Sequence, residues 1–138
     1  MNGACMEGSP LTPMDRALRL LGPLEGRIMR AIWTGAVREP FVVRDIQALM
    51  PELAYTTVMT TLNRLAEKGI LRVKRVHRQR AHAYRATGSA EEFLARESKD
   101  QVERVVEQFG EAAMVAFVER LDCLSPEQLE RLRGMGRG

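Results

Sequence analysis

The stretch 54–71 constrains the fold more than any other part of this chain. At about 100° of rotation per residue, Val58, Leu62 and Leu65 share one side of a helix spanning about residues 55–68, with Thr61 close by. Thr56, Thr60, Asn63 and Glu67 lie opposite, Thr57 and Arg64 on one flank, and Tyr55 and Met59 at the other edge. Gly69 supplies the stop, since glycine takes left-handed backbone without a Cβ penalty. Ala54 is a poor N-cap. One side of this helix must therefore be buried, while the other offers hydroxyls, an amide and a guanidinium.

Two β segments follow, residues 71–76 and 81–85, joined by His77, Arg78, Gln79 and Arg80 at hairpin length. Leu71 and Val73 alternate with Arg72 and Lys74, the pattern of a ribbon buried on one face. Seven Lys and Arg fall between Lys68 and Arg85, and no Asp or Glu lies between Gly69 and Ala90. Upstream, Pro23 suits a first helical position, and Leu24, Ile28, Ala31 and Ile32 form a stripe with Trp33 at its margin, ended by Gly35. A second helix over 43–50 has Ile46, Leu49 and Met50 as its core side and Pro51 as its stop. Three helices and a ribbon in this order predict a winged helix-turn-helix over residues 21–88. Residues 1–11 are rich in Gly, Pro and Ser and lack apolar period, which predicts a disordered N-terminal tail assigned to residues 1–20.

The composition changes after Gly88. Ser89 with Glu92 three residues on is a capping-box start. The helix it opens carries Phe93, Leu94, Val102, Val105, Val106 and Phe109 and stops at Gly110. A helix over 111–121 carries Met114, Val115, Phe117, Val118 and Leu121; Ser125, Pro126 and Gln128 start a last one with Leu129 and Leu132. About fifty residues of helix with this much apolar surface cannot bury it in one thin layer. A second copy is the simplest cover. Residues 89–138 are therefore predicted to be a dimerisation region using Phe93, Val102, Val105, Val106, Phe109, Met114, Phe117, Val118, Leu121, Leu129 and Leu132. The expected class is mainly α with a small β-ribbon: a winged helix-turn-helix followed by an α-helical dimerisation region.

Charge supports a polyanionic partner for the front half. Residues 23–88 hold 12 Lys and Arg against 5 Asp and Glu, whereas residues 89–138 hold 7 against 11. Double-stranded DNA presents phosphates and a major groove that admits one helix. A threonine hydroxyl bonds phosphate or a base edge, and its methyl packs against the thymine methyl. Thr56, Thr57 and Thr60 suit that role, with Asn63 for adenine and Arg64 for guanine or phosphate. Tyr55 either packs at the helix edge or bonds a phosphate. Glu67 repels DNA, so the helix is expected to enter N-terminus first. Arg72, Lys74, Arg75, Arg78 and Arg80 are candidates for phosphate or the minor groove, although alternation lets only part of them reach it.

Other classes find little support. No nucleophile elbow, P-loop or dinucleotide fingerprint is present, so neither an enzyme nor a cofactor site is expected. His77 and His82 lack neighbouring ligands, and no metal site is expected. Cys5 and Cys123 form no pair motif, so a disulfide scaffold is not expected, a reducing cytoplasm is, and Cys123 is expected in a core. No stretch approaches the roughly 20 apolar residues of a membrane span. The rival reading is a winged helix that docks a protein partner without reading DNA, because fold does not fix function.

Leu24 and Glu25, then Ile28 and Met29, Ile32 and Trp33, residues 43–46 and residues 54–71 together resemble the penicillinase-repressor family, with the copper-responsive repressors as relatives. The resemblance covers about residues 21–135. It implies a homodimeric repressor bound to a palindromic operator, and for several members a membrane sensor protease that responds to β-lactams and cuts the tail. The scissile segment of those members matches Val115, Ala116 and Phe117, with Ala116 where they carry Asn. The copper-responsive members end in a Cys-x-Cys pair; this chain ends in Gly134, Met135, Gly136, Arg137 and Gly138, and copper sensing is not implied.

Overall fold

A computed structural model describes residues 10–76 and 81–136 of the chain. Among them are helices α1 (Pro13–Arg19), α2 (Pro23–Trp33), α3 (Val43–Leu49), α4 (Tyr55–Glu67), α5 (Ala90–Phe109), α6 (Glu111–Leu121) and α7 (Pro126–Gly136), with strands β1 (Leu71–Val76) and β2 (Ala81–Ala86). The fold is mainly helical with one two-stranded antiparallel ribbon. Its residues group into two units, one of them Leu11–Ala95.

That unit is a winged helix-turn-helix built on one apolar core. Ile28, Met29 and Ile32 of α2, Ile46 of α3, and Val58, Leu62 and Leu65 of α4 are buried together with Phe41, Ile70, Leu71 and Tyr84. The stripe read from α4 is thus the buried one, Thr61 included; its hydroxyl donates to the Thr57 carbonyl at 2.8 Å, which satisfies the one polar group on that side. Gly35 and Gly69, at φ 80° and 79°, end α2 and α4 in left-handed backbone. β1 and β2 pair from Leu71 with Ala86 to Val76 with Ala81, and Phe41 adds a bridge on the outer side of Tyr84.

Several expectations are corrected. Residues 13–19 are not a disordered tail. Thr12 and Asp15 form a reciprocal cap, each backbone N–H donating to the other's side chain at 3.0–3.1 Å, and Ala17 is fully buried in the core. Leu49 is exposed rather than on the core side of α3. Phe93 is not available to a second copy: it is buried in this core with its ring 5.6 Å from Trp33, whose indole N–H donates to the Gly88 carbonyl. The unit therefore runs through the first turn of α5, not to residue 88.

The second unit holds Pro10 and residues 96–136 among those described. Both predicted capping boxes exist. Ser89 and Glu92 open α5, and Ser125 and Gln128 open α7, each pair exchanging two bonds of 2.9–3.1 Å. Gly110, at φ 60°, separates α5 from α6. Cys123 is exposed, not core, and is disulfide-bonded, against expectation; Cys5 lies outside the described residues. Among the described residues no helix is long and apolar enough to cross a membrane.

Candidate nucleic-acid interface

The outward side of α4 is as the periodicity reads it: Tyr55, Thr56, Thr57, Thr60, Asn63 and Arg64 are all exposed. The cause is that Val58, Thr61, Leu62 and Leu65 turn inward at helical intervals and leave the opposite arc to solvent. Glu67 is the one carboxylate on that arc.

Two contacts organise its edge toward the ribbon. The Tyr84 hydroxyl donates to Asn63 Oδ1 at 3.0 Å. Burial pushes the Tyr84 phenol above its usual range, and the neighbouring Tyr55 adds to the rise, so the hydroxyl stays a donor at neutral pH. On the other contact, the Arg44 guanidinium lies over the Tyr55 ring, 5.9 Å from its centroid. Tyr55 thus meets α3 rather than standing alone. A groove between the start of α3, the N-terminal half of α4 and β2 is lined by Val42, Val43, Arg44, Tyr55, Met59, His82 and Tyr84.

Register sorts the ribbon cations into two faces. Tyr84 and Leu71 are buried, and Val73 pairs with Tyr84 and Arg75 with His82, so Val73, Arg75 and His82 share the core-side face. Arg72, Lys74 and Arg85 are on the other, where Arg72 pairs with Arg85. Arg78 and Arg80 lie outside the described residues. Lys68, counted with the ribbon by sequence, is drawn elsewhere: its ammonium lies 2.9 and 3.0 Å from the two carboxylate oxygens of Glu25.

Sequence reading missed Arg44 and weighed His82 only as a metal ligand. Arg44 carries no local signal, because its partner Tyr55 lies beyond the turn that follows α3. His82 was legible in principle, since it falls in register with Tyr84 two residues away. No group of three or more potential metal ligands occurs among the described residues.

In the helical tail, Val102, Val105, Phe109, Met114, Val118, Leu121 and Leu132 are exposed, and Val106, Phe117 and Leu129 are half-buried. Ala116 is exposed within α6.

An exposed hydroxyl-bearing helix beside a cationic ribbon, on a winged helix, defines a DNA-binding transcriptional regulator rather than an enzyme. The penicillinase repressor family matches residues 21–136, and the chain belongs to that family. It is 35% identical over 118 residues to the transcriptional regulator BlaI of Mycobacterium tuberculosis, strains CDC 1551 / Oshkosh and ATCC 25618 / H37Rv, with 83% of each chain covered. Among solved structures, a MarR/EmrR family transcriptional regulator from Acinetobacter sp. ADP1 is similar at a TM-score of 0.42 and 22% identity, over 85% of this chain and 77% of that one.

Proposed function

We propose that this chain is a cytoplasmic, homodimeric repressor that occludes a palindromic operator, with α4 in the major groove and the ribbon against the backbone beside it. The observation that carries the reading is the exposed arc of Thr56, Thr57, Thr60, Asn63 and Arg64 on a helix whose opposite side is fully buried. Short hydroxyl and amide side chains let the helix approach base edges closely, and Arg64 at the flank reaches guanine or phosphate. Among the described ribbon cations, Arg75 is proposed to reach phosphate, because it pairs with His82, which lines the groove beside Tyr55. Gel shifts of the full chain on sites selected from random duplex DNA test this: a defined two-part site with steep salt dependence is expected, and salt-independent binding is not.

The second copy is proposed from the tail. Phe109 is 57% exposed, and Met114 and Val118 are 51% and 54% exposed. About half of the 1.5–3 kcal/mol that full burial of such a side chain gives, roughly 1 kcal/mol each, is therefore still to be gained. A symmetric partner presenting the same face covers them. Holding two winged helices together makes the second half-site contact intramolecular, with a gain in avidity of about 10² or more. Derepression then acts on the tail, through a sensor protease cutting near Ala116 and Phe117 or through any event that parts the two copies. That segment sits inside α6, so a protease needs local unwinding before an extended strand reaches its site.

A further inference from the structure

We propose that Tyr84, a core residue of β2, determines base specificity by fixing the side-chain amide of Asn63. The inference deepens the reading of α4 as the DNA-reading helix and rests on it. Tyr84 is 1% exposed overall. Its ring is stacked 5.8 Å from Phe41 at an interplanar angle of 23°, and its backbone pairs with Phe41 in both directions at 2.7 and 2.9 Å. The ribbon holds it from the other side opposite Val73. Ring and backbone are therefore clamped on two sides, and the hydroxyl has little freedom of position. It meets Asn63 at 3.0 Å.

Asn63 is exposed, on the same arc as Thr56 and Thr60 and at the edge toward the ribbon. An exposed asparagine ordinarily samples both orientations of its amide, which exchange donor for acceptor. The tyrosine hydroxyl tethers one end of that amide, and in the orientation present it donates into Oδ1. It leaves Nδ2, with both hydrogens, without a hydrogen bond among the described residues. The amide then presents its NH2 to a base or phosphate acceptor, with one Oδ1 lone pair still open. Reading with a fixed donor discriminates between base pairs, because purine N7 and thymine O4 accept where cytosine N4 and adenine N6 donate. Preorganisation also removes the rotamer entropy that a free side chain loses on binding.

The experiment uses the full chain and four proteins: wild type, Tyr84→Phe, Asn63→Ala and the double variant. Each selects from random duplex DNA, and affinities are then measured for every single-base change in the preferred half-site. Wild type is expected to select a defined site. Asn63→Ala relaxes choice at one base pair, and Tyr84→Phe relaxes the same pair by about 2- to 10-fold, leaving the salt slope unchanged. In the double variant Tyr84→Phe adds nothing. The Asn63 side-chain amide, followed by NMR in free Tyr84→Phe, is expected to become mobile while the backbone spectrum is retained, which separates loss of positioning from loss of fold. If wild type selects a site and Tyr84→Phe reads it with unaltered preference at every position, or if the Asn63 amide stays as ordered as in wild type, the role of Tyr84 is overturned while DNA reading stands. If wild type itself shows no preference, both fail.

Discussion

Lys68 and Glu25 form a two-pronged ion pair, with the ammonium 2.9 and 3.0 Å from the carboxylate oxygens and the carboxylate mostly enclosed. Glu25 also accepts from the Gly22 N–H at the start of α2. One carboxylate thus ties the end of the candidate reading helix to the start of another helix. Replacing Lys68 with Met leaves that carboxylate without its cation. We expect a loss of about 1–3 kcal/mol in denaturant unfolding and no change in the salt dependence of DNA binding. A reduced salt slope would instead place Lys68 on phosphate.

The ribbon cations are expected to differ from one another. Arg75, on the core-side face near the open end, is expected to lower the salt slope by about one unit per bound copy, about two for the dimer, when changed to Ala. Arg72, beside the core end of the ribbon and paired with Arg85, is expected to leave it unaltered. Titrating labelled duplex at several ionic strengths separates the two, and equal effects at both positions would contradict the assignment of faces.

Arg64→Ala is expected to cost about 1–3 kcal/mol of operator affinity per half-site and to relax choice at one base pair in each if the contact is to guanine. Competition by every single-base variant of the half-site reads this directly. A uniform loss across all variants would move Arg64 to the backbone.

A chain ending at Ala95 is expected to keep its fold and to bind its operator weakly, as a single copy. A chain ending at Gly88 additionally loses Ala90, Phe93 and Leu94 from the core. Removing one buried Phe commonly costs about 3–5 kcal/mol, so thermal unfolding should separate the two truncations clearly. Equal stability would remove Phe93 from the winged-helix core, and full-chain affinity in the Ala95 truncation would remove the tail from DNA binding.

Helix ends give the pH dependence. Hydrogen bonds from Thr12 hold the Asp15 carboxyl below its ordinary value, and those from Ser89 do the same for Glu92. A carboxyl whose folded pKa is lowered contributes stability that is present above the unfolded pKa and is lost as pH falls through the folded one. The starts of α1 and α5 are therefore expected to loosen below about pH 4, with neutral pH leaving both intact. Carboxyl titration by NMR checks it: the Glu92 and Asp15 midpoints should lie below those of the same residues in the unfolded chain, and midpoints equal to the unfolded ones would rule out the caps as a cause.

Much of this was legible because it rests on local rules. The buried stripe of α4 follows from rotation per residue, the ribbon from alternation, and both late helix starts from Ser89 and Ser125 with their partners three residues on. What escaped depends on contacts between distant positions. Helix α1 is seven residues long, too short for a period to stand out beside a Gly- and Pro-rich tail, and Ala17 is held by tertiary packing. At about 100° per residue Phe93 falls roughly 180° around α5 from Val102 and 120° from Val105, so its separate burial was legible in the rotation, but the count of apolar residues in the segment does not separate the two faces. The sequence likewise showed the charge of Lys68 but not the Glu25 that holds it, and the amide of Asn63 but not the phenol behind it.

The central claim is that the exposed arc of α4 reads duplex DNA as one half of a symmetric pair. The most direct measurement is the stoichiometry and salt dependence of the full chain on a site selected from random duplex. Two copies per site, half-sites about one helical turn apart, and a log–log salt slope on the order of −5 to −9 are the expected result. One copy bound without base preference at any ionic strength, or no binding to any duplex offered, would contradict it.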